Sequence, residues 1–207
     1  MTSKRIITAL TAVALSSMLL AGCTTTAAPT PTTSTESRTP TPTTTAGTKV
    51  PPPTSEDEAV SAATAVLTEW FKVRGEVNAA GGTDTEPLTE LSTGRALTVA
   101  LDSASRVAEG PLVNVDNVSV DGPSKTEGQI TFETIAAYGQ EHDGTANGLV
   151  TINACQDSTG YKVTTNDGKP ALTDPNNARL IYDYQVVYDT QKQTWLVSDL
   201  INVGSKC

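Results

Sequence analysis

The hydrophobic period of this chain changes once, at Gly110-Pro111, and that change limits its fold more than any other feature. Before it, Ala59, Val60, Ala63, Val66, Leu67, Trp70 and Phe71 recur at the spacing of one helix face, which predicts an amphipathic helix from Ser55 to about Val77. Ser55-Glu56-Asp57-Glu58 reads as a capping box at its start. The serine oxygen accepts from the third helical N–H, and the acids suit the positive end of the helix dipole. Ala80-Gly81-Gly82 ends this helix, and Pro87 suits the first position of a new turn. A second stretch carries Leu97, Ala100, Leu101, Ala104, Val107 and Ala108 on one side and stops at Gly110-Pro111.

Beyond that stop, residues alternate. Val113/Val115, Val118/Val120, Ile130/Phe132 and Leu149 to Ala154 are strand candidates separated by Gly, Asp, Asn or Pro clusters. The longest candidate runs from Arg179 to Asp189: Leu180, Tyr182, Tyr184, Val186 and Tyr188 share one face, with Asp183, Gln185 and Asp189 on the other. Thr190 to Gln193 make a turn, and Thr194-Trp195-Leu196-Val197 return as the partner strand. Helices first and strands second imply an α+β fold, with N-terminal helices packed on one face of an antiparallel sheet.

Composition excludes several functions. The 207 residues carry 14 basic and 23 acidic side chains, a net charge of −9, so a phosphate-binding surface for nucleic acid is not expected. Three Cys and one His, scattered along the chain, do not make a dedicated zinc site. Asn166-Asp167-Gly168 lacks the alternating acids of a calcium loop and reads as a turn. With no Gly-rich phosphate cradle after a strand, no metal or cofactor is expected.

The N-terminus reads as processing rather than fold. Lys4 and Arg5 precede an apolar run from Ile6 to Leu20, shorter than the roughly 20 residues of a membrane-spanning helix. Leu20-Ala21-Gly22-Cys23 then resembles the lipobox of bacterial lipoproteins, in which the Cys becomes the first mature residue. The resemblance implies that residues 1–22 are a cleaved signal peptide and that Cys23 carries a thioether-linked diacylglycerol and an acylated (palmitate-type) amino terminus. Two or more acyl chains hold a protein stably on a bilayer. The expected location is therefore the extracytoplasmic face of the cell membrane, with the membrane itself a partner through the lipid.

From Cys23 to Thr54 the chain is mostly Thr, Pro, Ala and Ser. Such a segment buries too little apolar surface to offset backbone ordering and reads as a disordered tether. Its reach lies between about 30 Å as a coil and about 100 Å in extended polyproline form. The folded domain is expected over residues 55–207.

Within it, three features resemble the NTF2-like family, in which a curved sheet wraps a long N-terminal helix into a cone. They are the opening helix with Trp70-Phe71, the segment Val150-Thr151-Ile152-Asn153-Ala154-Cys155-Gln156-Asp157, and the close through Tyr182-Asp183-Tyr184 and Trp195-Leu196-Val197 to Cys207. The chain looks most like actinobacterial lipoproteins carrying this domain; a cystatin-like sheet on a helix is the alternative architecture. With Cys23 assigned to lipid, Cys155 and Cys207 are an even pair in a disulfide-permissive compartment. The competing reading is two free thiols, one catalytic, for which His142 is a poor partner, since the polar stretch Gln140 to Gly144 reads as a hairpin loop.

NTF2-like cones include isomerases and dehydratases, which set an acid with a raised pKa in an apolar mouth beside an oxyanion donor. Asp183 and Asp157 are the candidate bases here, and Tyr182, Tyr184 and Tyr188 the candidate donors. Alternation, however, sets Asp183 opposite the Tyr face. Asp157 in Asp157-Ser158-Thr159-Gly160 also reads as a turn residue bonding backbone N–H groups. Two functions follow: a non-catalytic envelope module that binds a protein, a wall component or a small ligand, and, alternatively, a small-pocket enzyme of the isomerase or dehydratase type. In the binding reading Tyr182, Tyr184, Asp183 and Asp157 are the candidate ligand contacts.

Overall fold

A computed structural model describes residues 49–207; the readings placed on the signal segment, on Cys23 and on the tether up to residue 48 lie outside the described residues. The chain runs through α1 (Glu56–Ala79), α2 (Glu86–Leu91) and α3 (Gly94–Glu109), then β1 (Leu112–Val113), β2 (Ser119–Val120), β3 (Lys125–Glu127), β4 (Thr131–His142), β5 (Thr145–Asp157), β6 (Lys162–Thr164), β7 (Arg179–Asp189) and β8 (Thr194–Lys206). β4, β5, β7 and β8 form one antiparallel sheet in that order, while β1–β2 and β3–β6 are separate two-stranded pairs. The result is α+β, with helices before the sheet.

α1 starts where its cap lies: Ser55 Oγ accepts from Glu58 N at 3.2 Å. Glu58 does not complete the capping box. Its carboxylate takes the N–H and hydroxyl of Thr54 instead, at 2.8 and 2.7 Å. The apolar stripe of Ala59, Ala63, Val66, Leu67, Trp70 and Phe71 is buried against the sheet. α3 buries Ala96, Ala100 and Ala104, small side chains that bring its backbone close to its neighbours. Gly82, at φ +72°, lies directly under that helix; a Cβ there would strike the Ala104 carbonyl oxygen. Gly82→Ala is therefore expected to cost more than about 1 kcal/mol, read as a lower Tm.

Ordered contacts begin ahead of Ser55, inside the stretch read as tether. Val50 N donates to Gln193 O at 2.7 Å and Val50 O accepts from Tyr188 Oη at 2.7 Å. Val50 thus adds an apolar side chain and two hydrogen bonds, one to the backbone of Gln193 and one from the Tyr188 hydroxyl, to the β7–β8 end.

β7 spans the residues its alternation predicts, with Tyr184, Val186 and Tyr188 buried toward the helices. β4 is longer than predicted and absorbs the stretch around His142 that reads as a loop. Its turn is only Asp143-Gly144, both at positive φ (48° and 76°), the two-residue hairpin geometry. Register breaks between Thr134 and Ala136, and again where β8 passes Gln185/Val186, switch which residues face the helices. The edge of β8 is partly covered by the α2–α3 linker, where Thr93 N donates to Val197 O at 2.9 Å.

Cys155 and Cys207 are disulfide-bonded, with Cα atoms 5.9 Å apart. Cys155 lies on the sheet face away from the helices, opposite Ile181 of β7. The bond therefore ties the end of β8 across β7 to β5.

Candidate functional site

The register of the four strands gathers the start of β4, the end of β5, the start of β7 and the end of β8 at one end of the sheet. The second half of α1 crosses that end. Its stripe continues past Trp70 in steps of four to Arg74 and Asn78, so a guanidinium and an amide occupy positions where the period expects apolar groups.

Arg74 lies over the Trp70 ring, its central carbon 5.4 Å from the centroid. Its titratable neighbours are phenols, those of Tyr161, Tyr184 and Tyr182, which are neutral. Among the described residues no carboxylate pairs with it. Its Nε is buried without a hydrogen-bond partner, and so is Asn78 Oδ1. Burial pushes the Arg74 pKa down, but a guanidinium starts so high that it stays charged.

The surrounding aromatic groups are fixed by packing and hydrogen bonds. Phe71 sits between Phe132 and Tyr184, at centroid distances of 5.1 and 5.5 Å, and Tyr182 stacks on Tyr184 at 5.9 Å. Tyr184 Oη donates to Gln156 Oε1 at 2.8 Å, and burial, foremost, drives its pKa far up. Asn78 Nδ2 donates to Ser103 Oγ on α3 and to Tyr161 Oη, both at 3.1 Å. Between Phe71, Arg74, Gly75, Asn78, Ile130 and Tyr161 remains a cavity of about 10 Å³, the room one water needs. Tyr161 also walls a groove of about 540 Å³ formed with Ser158, Thr159, Lys162, Asp174 and several apolar side chains, Val163 and Pro170 among them.

Tyr182 and Tyr184 therefore sit at this site, and the two candidate acids do not. Asp183 lies on the opposite sheet face and accepts from Asn153 Nδ2 at 2.7 Å. Asp157 serves the turn after β5: Thr159 Oγ1 and N donate to it at 2.6 and 2.8 Å, and Arg179 Nε is 3.4 Å away. Thr159, chiefly through its hydroxyl, holds the Asp157 carboxyl below the usual range, the opposite of a raised-pKa base. Tyr188 packs on Trp195 at the far end of β7, with centroids 5.6 Å apart. His142 closes β4 beside Asp143, its Nε2 3.6 Å from Oδ2.

The cavity walls thus offer hydrogen-bond donors and one fixed cation, but no carboxylate or imidazole to move a proton. Arg74 and Asn78 escaped the reading of the sequence, which followed the stripe only as far as Phe71. The signal was a charged residue in phase with the buried face.

No family model matches the chain, and no curated protein matches it in sequence. Among solved structures it is similar to the crystal structure of the intermembrane space region of chloroplast protein ARC6, at 15% identity and a TM-score of 0.44, over 68% of this chain and 95% of that one.

Proposed function

We propose that the chain is a lipid-anchored domain of the extracytoplasmic membrane face, NTF2-like in architecture, that binds a ligand or envelope partner without catalysing a reaction. The observation that carries the non-catalytic reading is the interior between α1 and the sheet. Trp70, Phe71, Phe132 and Tyr184 fill it, and the cavity beside Phe71 is water-sized with no acid in its walls. An isomerase or dehydratase would need substrate volume and a proton acceptor beside an oxyanion donor. Asp183 and Asp157 answer to neither requirement.

The anchoring reading rests on Leu20-Ala21-Gly22-Cys23 and on the Thr/Pro stretch that follows. The bonded Cys155–Cys207 pair supports an oxidising compartment. Four strand irregularities, which bend the strands that carry them, and a long helix laid across the sheet support the NTF2-like cone. The additional α2 and α3 fit it better than a cystatin-like single helix on a sheet.

Cys23→Ala is expected to move the protein from the membrane fraction to the soluble fraction and to remove the lipid mass from its N-terminal peptide. Retention of the variant on the membrane would overturn the anchor. Crosslinking the domain in its native envelope is expected to capture a protein, wall fragment or small molecule. Turnover of a carbonyl substrate by purified protein would overturn the non-catalytic reading.

A further inference from the structure

We propose that Arg74 receives the carboxylate of a small organic acid whose body rests in the groove beyond Tyr161. The proposal deepens the binding-module reading and rests on it.

A cation taken from water is costly unless it meets an opposite charge. Arg74 is half-buried, its titratable neighbours are phenols, and its inner nitrogen, which is buried, has no partner. A carboxylate supplies the missing charge and two acceptor oxygens in the geometry a guanidinium fork fits best. The space agrees with that choice. One carboxylate oxygen can take the place of the single water that the 10 Å³ cavity admits. Tyr161 belongs both to that cavity and to the 540 Å³ groove, so a ligand with its acid group at Arg74 extends past the Tyr161 ring into the groove. There Val163, Pro170, Ala171 and Pro175 give an apolar wall, and Lys162 shares the groove with the Asp174 carboxylate, which selects a body with an apolar side and a hydroxyl or amine.

Two observations favour a carboxylate over a phosphate. The cavity beside Arg74 is walled by the Phe71 and Tyr161 rings, flat groups that suit a planar acid. The chain's net charge of −9 also disfavours a dianion.

Trp70 is a built-in reporter beneath Arg74. Full-length protein would be titrated at constant ionic strength with sodium lactate and, separately, with its neutral counterpart lactamide, following tryptophan fluorescence and Tm. Lactate is expected to give a saturable change with a midpoint on the order of millimolar and a higher Tm. Lactamide is expected to be at least tenfold weaker, and Arg74→Gln to weaken lactate at least tenfold. If Arg74→Gln does not fold, Tyr161→Phe and the wild-type comparison of acid with amide decide.

Equal responses to lactate and lactamide, or no saturable response, would overturn the proposal. A saturable response to phosphate or chloride without one to lactate would overturn it in favour of an inorganic anion. Failure here is distinct from failure of the binding-module reading, which falls on turnover by the purified protein whatever lactate does.

Discussion

Trp70→Ala is expected to lower the free energy of unfolding by about 3–5 kcal/mol. Trp70 is completely buried, meets Phe71 edge-to-face at 5.1 Å, and carries the Arg74 guanidinium on its ring. Truncation would open a void between α1 and the sheet that Ala63, Val66 and Leu67 cannot fill, since their own places on the stripe are already packed. It would also strip Arg74 of the ring it lies on, with no carboxylate available in exchange. Trp70→Phe should cost far less, about 1 kcal/mol. It keeps an aromatic face and removes an indole N–H that has no partner in the buried interior. Urea unfolding of the three proteins with a common slope would check this. A loss below about 1 kcal/mol for Trp70→Ala would mean that the helix–sheet interior is not packed as described.

Removing the disulfide should have a comparable effect by a different route. Cys155 and Cys207 close a loop with a sequence separation of 52, for which the chain-entropy relation gives about 4 kcal/mol. For a domain of this size that corresponds to a fall in Tm of roughly 8–16 °C. The loss should not be uniform. From Ile201 onward β8 is exposed, so its end is held by the ladder to β7 and by the disulfide rather than by core packing. In Cys155→Ser or reduced protein, amides of this segment should exchange earliest, before global unfolding. Denaturation with and without reductant, together with hydrogen exchange, would test both parts. Unchanged Tm on complete reduction would show that the bond contributes nothing to the folded state.

Legibility differed from strand to strand for one reason. β7 is a central strand with one face buried against the helices, and its alternation through Tyr182, Tyr184, Val186 and Tyr188 shows in the sequence. β4 is an edge strand, largely exposed, with a register break at Ile135 that shifts the inward positions from Phe132 to Ala137. Without a buried face or a constant parity, no alternation marks it. β8 fades in the same way, its register shifting after Val197 and its side chains becoming exposed from Ile201 onward. The short β3 and β6 are stabilised by pairing with each other across a long sequence interval, which no local pattern records.

The candidate site divides along the same line. By itself, the sequence determined the helix–sheet order, the face on which Tyr182 and Tyr184 stand and its separation from Asp183, because local periodicity decides which side of an element a residue occupies. Only the tertiary structure decided that Arg74 lies among three tyrosines without a carboxylate, that Val50 belongs to the fold and that the cavity beside Phe71 is no larger than a water. Partners, volumes and uncompensated charge arise where distant segments meet, and the period of any one segment contains none of them.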